Sequence, residues 1–465
     1  MSASVLVSAV AAAKPEPFWL DDHRRPEPRP ALVGAVDCDL LVVGGGFTGL
    51  WTALLAKKAN PDRHVVLVDS DRVAWAASGR NGGFCEASLT HGPSNGLQRW
   101  PDEYDELNRL GHANLDALVS DLRDHGVDCD LETPGTLSVA TAAYQVAELR
   151  AAARGTSPDD VRFLDQDEVR AEVASPTYLA GLWDRHSSVL VNPARLAWGL
   201  AAACERAGVV IHEHTRVGSL AGTGSMMTAT TEYGVVTARR IALGTNAFPS
   251  LVRRVRPYVV PVYDYVLVSE PLSAARRDEV GWLGRQGIAD SGNQFHYYRL
   301  TADDRILWGG YDAIYHYGRR MTSELDQRPE TFLRLAEHFF ATFPQLSGLQ
   351  FTHRWGGAID TCTRFAPFFG TAFAGKVSYA LGYTGLGVGA SRFGAAVMLE
   401  LLGTRSSAVT ALDFVRRKPW PFPPEPLAFL GIEATRRSMA RADRNDGRRD
   451  LWLRTLDRLG LGFDS

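Results

Sequence analysis

A strand, a glycine-rich turn, a helix and a second strand follow one another between Cys38 and Asp69. This order constrains the fold more than any other feature of the 465-residue chain. The segment reads CDLLVVGGGFTGLWTALLAKKANPDRHVVLVDSD and carries the pattern GxGxxG at its turn. In that pattern the first glycine makes a tight turn, the second lets the backbone approach a pyrophosphate, and the third packs the helix on the strand. These roles fall to Gly44, Gly46 and Gly49.

The acidic residue that ends the second strand completes a dinucleotide-binding pattern. Asp69 lies twenty residues after Gly49, where a carboxylate can accept hydrogen bonds from the ribose hydroxyls of an adenosine. The helix N-terminus offers unpaired N–H groups and a partial positive charge to the pyrophosphate. We therefore predict that Phe47, Thr48 and Ser70 also contact a dinucleotide. The motif alone does not distinguish FAD from NAD.

Three further segments favour FAD. AASGRNGGF can wrap a flat ring with its backbone N–H groups, and RRIALGTNAF is a buried strand that ends in small residues. YALGYTGLGVGASRFGAAVMLELL leads through a glycine turn into a helix, whose N-terminus suits the N1–C2=O edge of an isoalloxazine. Negative charge gathers at that edge when the flavin is reduced. The cofactor-binding residues predicted from these segments are Ser78, Gly79, Arg80, Asn81, Gly82, Gly83, Gly244, Thr245, Gly382, Tyr383, Thr384, Gly385, Leu386 and Gly387.

Together these segments resemble the D-amino-acid oxidase superfamily of flavoproteins over nearly the whole chain. The FWLDD arm, the SGRNGG loop and the GYTGLGVG turn look most like its γ-glutamylputrescine oxidase branch. The resemblance implies an α/β (α+β) fold, in which a Rossmann-like FAD-binding domain is interleaved with an antiparallel-sheet substrate domain and the flavin lies between them. It also implies that Val217 lies beside the adenine.

Changes in composition and periodicity divide the chain. The first residues are proline-rich and predict an extended arm, and the period-two pattern from Pro257 to Tyr311 predicts antiparallel strands. The predicted parts are an extended N-terminal arm (1–36), a discontinuous FAD-binding domain (37–100, 190–250 and 355–415), a substrate domain (101–189 and 251–354) and a C-terminal helical tail (416–465).

The resemblance implies hydride transfer from a C–H bond beside a nitrogen to N5 of FAD, after which the imine hydrolyses. Such chemistry depends mainly on how the substrate is placed. The substrate site is expected to be lined by the strands around Tyr263, Tyr265 and His296–Arg299 and by the segment Arg354–Arg364. The residues singled out on these strands are Tyr263, Tyr298 and Arg299. Tyrosines on alternating strands also commonly serve as core or sheet-face packing.

One position departs from the amino-acid-oxidising relatives. Where these relatives have an arginine that pairs with the substrate carboxylate, this sequence has Asp360. An acid repels a carboxylate and can hold an ammonium, which favours a small-molecule amine, primary or secondary, as the substrate. The alternative is that Asp360 bonds to the backbone or to a nearby arginine such as Arg364.

Two positions bear on the flavin itself. Sarcosine-oxidising relatives have a lysine near N5 and a cysteine that holds the flavin covalently, and the corresponding places fall near Leu307 and Ala358. The expected cofactor is therefore non-covalent FAD, and the electron acceptor is molecular oxygen or another acceptor. The alternatives are an amino-acid oxidase or dehydrogenase that passes electrons to a carrier other than oxygen, and a flavin-binding protein without catalysis.

Composition excludes several other classes of protein. The net charge of −3 gives no drive toward nucleic acid. The five cysteines never form CxxC, which argues against a zinc site or a disulfide framework and for a reducing compartment. No stretch approaches the roughly 18 apolar residues that a membrane span needs. We expect a cytoplasmic enzyme without a metal, a nucleic-acid partner or a membrane span.

Overall fold

The structure is a computed structural model that describes residues 2–154, 156–403 and 407–462. The strands of the described residues are β1 (Gly34–Val43), β2 (Val65–Val68), β3 (Phe84–Glu86), β4 (Thr136–Ala140), β5 (Val161–Leu164), β6 (Ala180–Asp184), β7 (Ser188–Leu190), β8 (Val210–His212), β9 (Val217–Thr223), β10 (Met226–Thr231), β11 (Gly234–Leu243), β12 (Val260–Ser269), β13 (Gly287–Asp290), β14 (His296–Leu300), β15 (Ile306–Gly310), β16 (Ile314–Tyr315), β17 (Phe351–Thr361), β18 (Phe368–Ala372) and β19 (Val377–Leu381). The helices are α1 (Ala3–Ala11), α2 (Phe47–Ala59), α3 (Pro93–Arg99), α4 (Tyr104–Asp124), α5 (Ala143–Ala152), α6 (Gln166–Glu172), α7 (Pro193–Arg206), α8 (Ala274–Val280), α9 (Pro329–Thr342), α10 (Gly387–Leu402), α11 (Ala408–Ala411), α12 (Asp413–Arg416), α13 (Leu427–Arg444) and α14 (Leu451–Arg458).

The strand–turn–helix–strand segment forms the centre of a sheet that has eight strands within the described residues. Its main path runs β18-β19-β11-β1-β2-β8, and β10 and β9 extend it from β11. The pairs along the path from β19 to β8 are parallel. All four residues of β2 are buried, as expected for a parallel strand that is covered on both faces. Helix α2 packs against α7 on one side and α10 on the other, and the three helices form one layer.

The alternating aromatic segments form a second sheet, which has nine strands in the described part of the chain. Its main path runs β16-β12-β15-β14-β13-β4-β6-β5, and β17 pairs with β12. All its pairs are antiparallel except β13 with β4. Helix α9 packs against β12 and β15. The mixed fold predicted from the sequence, with one largely parallel and one largely antiparallel sheet, is confirmed.

The N-terminal segment differs from its prediction as an extended arm. Residues Ala3–Ala11 form α1, and Leu6, Ala9 and Val10 are buried where this helix packs against α9. The segment ASVLVSAVA has no proline, and its apolar residues recur at helical spacing, so burial of one helix face outweighs the extended tendency of the prolines that follow. The division into domains stays a prediction. The strand β17 crosses the boundary predicted at residue 355, because it pairs with β12 along its whole length.

The long helices are amphipathic or lie in the core. Among the described residues, none of the helices combines the length and the apolar character that crossing a bilayer requires.

The glycine at the third position of GxGxxG generates the first prediction. A Cβ atom at Gly49 would lie 1.8 Å from the carbonyl oxygen of Gly44, so Gly49→Ala must push α2 away from β1. We expect a loss in the free energy of unfolding of about 1–3 kcal/mol, measured by urea denaturation. The control is Gly431→Ala in α13, where a Cβ atom meets nothing within 4 Å and should be neutral or stabilising. Equal stabilities of the two variants would contradict the close packing of α2 on β1.

Candidate functional site

A cavity of about 1420 Å³ lies where the two sheets meet. Its lining comes from the carboxyl ends of β1, β2 and β11, from β12, β14 and β17, and from α13 and α14. Open α/β sheets bind their ligands outside the carboxyl ends of parallel strands, so the cavity lies where such a sheet holds its ligand.

Most of the residues that the sequence predicted to bind the cofactor line this cavity. They are Gly44, Gly46, Phe47, Thr48, Asp69, Ser70, Ser78, Arg80, Asn81, Gly82, Val217, Gly244, Thr245, Tyr383, Thr384, Gly385, Leu386 and Gly387. The other predicted residues, which lie behind this lining, are Gly49, Gly79, Gly83 and Gly382.

The first glycine turn fits tightly between its neighbours. Gly44 has φ +113°, and a Cβ atom there would lie 2.4 Å from the carbonyl oxygen of Gly244. A Cβ atom at Gly46 would lie 2.8 Å from Oγ of Ser78. The N–H of Phe47 donates to the same Ser78 oxygen at 3.0 Å. The turn therefore presents backbone to the cavity: a side chain at Gly44 would collide with backbone, and one at Gly46 would have to displace the side chain of Ser78.

Asp69 holds the turn and the loop after β2 together. Its carboxylate accepts hydrogen bonds from the N–H of Gly45 at 2.5 Å and from the N–H of Asp71 at 2.9 Å. The indole N–H of Trp75 donates to it at 2.9 Å. Burial raises the pKa of Asp69, while these donors favour the charged form. The carboxylate is thus fixed at the cavity wall by neutral donors.

Two predicted glycines of the SGRNGG loop support the loop from behind. A Cβ atom at Gly79 would lie 2.2 Å from the carbonyl oxygen of Ala74. Gly83 has φ +77°, and a Cβ atom there would lie 2.1 Å from the carbonyl oxygen of Val191. Their role in this structure is close packing of the loop, which sets the position of the residues that do line the cavity.

Arg80 connects this loop to the antiparallel sheet. Its Nε donates to the carbonyl oxygen of Trp75 at 2.9 Å, and its Nη1 donates to the carbonyl oxygen of Gly356 on β17 at 3.1 Å. It also pairs with Asp326. The arginine therefore fixes the loop against the second sheet.

The C-terminal glycine turn meets the first turn directly. The hydroxyl of Thr48 donates to the hydroxyl oxygen of Tyr383 at 3.1 Å. Gly382 has φ +74°, and a Cβ atom there would lie 2.9 Å from Cys362. This glycine packs on Cys362 behind the cavity lining. His91 is a half-buried residue that also lines the cavity and was not predicted; desolvation lowers its pKa to about 4.

Asp360 supports the C-terminal turn, which is the alternative that the sequence left open. Its carboxylate accepts a hydrogen bond from the N–H of Gly382 at 2.6 Å, and the N–H of Tyr383 also donates to it. Burial raises the pKa of Asp360 to about 7. Arg364 turns elsewhere and donates to backbone carbonyls such as that of Phe414, at 3.0 Å. The expectation that Asp360 holds an ammonium stays a prediction, whereas the observed partners of its carboxylate are backbone N–H groups of the turn.

The structure places two predicted substrate residues of β14 away from the cavity lining, and their role stays a prediction. Tyr298 is buried on the α9 side of the sheet, where its hydroxyl bonds to that of Tyr178 at 2.7 Å. Arg299 is buried as well, and its Nη1 donates to the carbonyl oxygen of Val191 at 2.8 Å. Neither of them lines the cavity, whereas Tyr263 on β12 does. For Tyr298 the reason is the strand face, because successive side chains of a strand point to opposite sides. Arg299 points to the same side as Tyr297, but there it donates to the carbonyl oxygens of Gly83 and Val191, which separate it from the cavity.

Of two cavity residues of the antiparallel sheet, Asp264 was missed and Tyr297 was expected only as part of the lining strand His296–Arg299. Asp264 and Tyr297 line the cavity, and the Tyr297 hydroxyl donates to the Asp264 carboxylate. Each is next to a tyrosine that the sequence analysis named, Tyr263 and Tyr298. The alternation in VYDYV and HYYRL was the available signal, but it needed knowledge of which face is covered by a helix.

The C-terminal helices also contribute to the cavity, although the sequence predicted only a tail. Residues of α13 recur along its inner face, and residues of α14 add to them. The cavity residues from these two helices are Leu427, Ala428, Gly431, Ile432, Thr435, Arg436, Met439, Trp452, Leu453 and Leu456. Their spacing of three and four residues was a visible signal of one buried helix face.

The hydrogen bonds of Asp360 generate a prediction. Asp360→Ala leaves the N–H groups of the 382–384 turn without their acceptor, at a cost of about 1–3 kcal/mol for a buried donor. We expect a lower flavin content, measured as the ratio of absorbance at the flavin band to absorbance of the protein. Asp360→Asn keeps one oxygen acceptor and should retain more flavin than the alanine variant. Full flavin content in both variants, with loss of turnover alone, would contradict the supporting role.

Comparisons with known proteins agree with this geometry. Residues 39–401 match the DAO family, described as FAD dependent oxidoreductase. The chain is 30% identical over 410 residues to gamma-glutamylputrescine oxidoreductase of Escherichia coli K12, covering 85% of this chain and 90% of that protein. It is 23% identical over 372 residues to the sarcosine oxidase subunit beta of Rhodobacter capsulatus, covering 77% of this chain and 81% of that one.

Solved structures share the fold. Glycine oxidase from Geobacillus kaustophilus superposes with a TM-score of 0.67 at 18% identity, covering 82% of this chain and 99% of the other. Glycine oxidase from Bacillus cereus superposes with a TM-score of 0.65, also at 18% identity and with the same coverage of each chain. The length of the family match and the similarity to the E. coli protein lead to one conclusion: this chain is an FAD-dependent oxidoreductase of the DAO family.

Proposed function

We propose that this protein oxidises the C–N bond of a primary or secondary amine, giving an imine that hydrolyses. The observation that carries the proposal is the cavity itself, which runs from two glycine turns to the inner face of an antiparallel sheet. A flavin and a small substrate can thus share one enclosed space. The names of two relatives, for gamma-glutamylputrescine and for sarcosine, support a nitrogen compound as the substrate.

The residues at the first glycine turn would hold the phosphate and adenosine parts of FAD. The N-terminus of α2, at Gly46 and Phe47, suits the pyrophosphate because helix N-termini bind anions. Asp69 and Val217 would lie by the adenosine. Among the described residues, the buried Oγ1 of Thr245 has no hydrogen-bond partner, and it lines the same cavity. Buried hydroxyl groups are normally hydrogen-bonded, so this unpaired hydroxyl beside a glycine turn supports a polar ligand bound there.

The SGRNGG loop and the 382–387 turn would hold the isoalloxazine between them. The C-terminal turn leads into α10, whose N-terminus can stabilise negative charge on the flavin. Arg80 fixes the loop against β17, and the Thr48–Tyr383 hydrogen bond fixes one turn against the other. When bound, FAD supplies a two-electron acceptor for the hydrogen on the carbon beside the substrate nitrogen. The residues of this chain then orient the amine and exclude water.

The bleaching of the flavin tests the proposed function. Under anaerobic conditions we expect the flavin absorbance of the purified protein to disappear with at least one primary or secondary amine, in a panel that also contains glycine, D-alanine and L-amino acids. Reduction only by amino acids would overturn the amine assignment, and no reduction by any compound would favour a flavin protein without catalysis.

The electron acceptor follows from the second half of the same experiment. Admission of air should restore the flavin absorbance within the turnover time if molecular oxygen is the acceptor. Slow reoxidation in air, with rapid reoxidation by an artificial electron carrier, would identify a dehydrogenase instead. The predicted cytoplasmic location stays a prediction.

Non-covalent attachment of FAD is a further part of the proposal. All five cysteines are free and buried, and none of them lines the cavity. Burial also raises the pKa of Cys85 and of Cys362, which keeps both thiols protonated and unreactive. Acid precipitation should therefore release FAD into the supernatant, where its absorbance is measured. Yellow protein in the washed precipitate would show a covalent bond.

A further inference from the structure

The strand β12 directs one carboxylate into the cavity. Tyr265 is fully buried, and its ring packs against Phe332 of α9 at a centroid distance of 5.7 Å. Since successive side chains of a strand point to opposite faces, Asp264 must face away from α9. It is half-buried there and lines the cavity. The packing of the tyrosine thus dictates the direction of the carboxylate.

Neutral donors hold this carboxylate in place. The hydroxyl of Tyr297 donates to Oδ2 of Asp264, and the N–H of Tyr265 donates to Oδ1 at 2.8 Å. The N–H of Gly310 donates as well. The ring of Tyr297 leaves no room for a side chain at Gly82, where a Cβ atom would lie 2.6 Å from it. The Asp264–Tyr297 pair therefore lies where the SGRNGG loop touches the antiparallel sheet.

Asp264 forms no ion pair with any residue of the described ranges, and His296 acts on it only at longer range. Burial raises the pKa of Asp264 to about 6, so the group is ionised at neutral pH in a partly desolvated place. Such a charge is stabilised by a cation that enters the cavity.

The other acids that line the cavity are less suited to bind a cation. Asp312 is already paired with Arg334 at 2.7 Å. Asp69 and Asp360 are buried at the glycine turns, whereas Asp264 is half-buried and open to the cavity. Glu86 and Asp71 lie outside the antiparallel sheet, and the N–H of Arg72 donates to Asp71 at 2.8 Å. Asp264 is therefore the preformed carboxylate with the greatest gain from a cationic ligand.

We infer that the carboxylate of Asp264, held by Tyr297, binds the ammonium form of the amine substrate as it enters the cavity. The bound nitrogen then releases one proton to solvent before the neighbouring C–H bond is broken, because hydride leaves that carbon only when the nitrogen lone pair is free to form the imine. This inference rests on the proposed function and adds the residues that recognise the substrate charge. The chemical class that it selects is an ammonium group on a carbon chain. A substrate whose carboxylate had to enter the same place would be repelled.

Binding of an amine that cannot react tests the inference. The tert-butylammonium ion has no hydrogen on the carbon next to nitrogen, and tert-butanol is its neutral counterpart of similar shape. Each is titrated into the holoenzyme, and its Kd is read from the change in the flavin spectrum. In Asp264→Asn, the Kd for tert-butylammonium should rise by about tenfold or more, the usual effect of losing a charge-assisted hydrogen bond. The Kd for tert-butanol should stay unchanged.

Further variants make the test specific. Tyr297→Phe removes the hydroxyl that positions the carboxylate. Its Kd for tert-butylammonium should be higher than that of the wild type, though lower than that of Asp264→Asn. The comparison with the wild type keeps the inference testable if Asp264→Asn folds poorly. The matched control is Asp278→Asn. Asp278 is an exposed residue of α8 that does not line the cavity, so both Kd values should stay unchanged. Loss of ion binding in Glu86→Gln but not in Asp264→Asn would overturn the inference.

The outcomes separate this inference from the proposed function. If no amine bleaches the wild-type flavin, the proposed function fails and the inference fails with it. If amines bleach the wild-type flavin while Asp264→Asn binds tert-butylammonium as tightly as the wild type, only the role of Asp264 is overturned.

Discussion

The contact between the first glycine turn and its neighbours sets the position of everything else in the site. Gly49 lies against the carbonyl oxygen of Gly44, and Gly44 in turn lies against Gly244 at the end of β11. These approaches are too close for side chains, so they fix the N-terminus of α2 at the carboxyl ends of the parallel strands. The crevice that remains there is the cavity, and the loops that follow β2, β11 and β19 all reach it.

Two hydrogen-bonded links then relate the antiparallel sheet to this crevice. Asp360 belongs to β17 of the antiparallel sheet, yet its carboxylate accepts the N–H of Gly382, which follows β19 of the parallel sheet. Arg80 makes the second link, from the loop after β2 to the carbonyl oxygen of Gly356 on β17. Both links thus attach loops of the parallel sheet to β17. Asp360, which the sequence suggested for substrate binding, forms one of them.

The parts of the site that depend on local sequence were predictable. The turn at Gly44 and Gly46 combines a strand, glycines and a helix in adjacent residues, so its geometry follows from the chain itself. The faces of the antiparallel strands were not predictable, because which side of β14 is covered depends on α9, a helix that lies more than thirty residues later in the chain. For this reason Tyr298 was singled out from the expected lining strand His296–Arg299, although Tyr297 is the residue that lines the cavity. The contribution of α13 and α14 to the cavity was not predictable for the same reason, since only long-range packing brings the C-terminal helices to it.

The central claim is that one cavity holds the flavin and presents Asp264 to the nitrogen of an amine. A crystal structure of the FAD-loaded enzyme, soaked with tert-butylammonium, tests this claim most directly. We expect the isoalloxazine between the SGRNGG loop and the 382–387 turn, with the ammonium nitrogen within hydrogen-bond distance of the Asp264 carboxylate. A flavin bound elsewhere, or an ammonium held by another residue of the cavity while Asp264 keeps only its neutral donors, would contradict it.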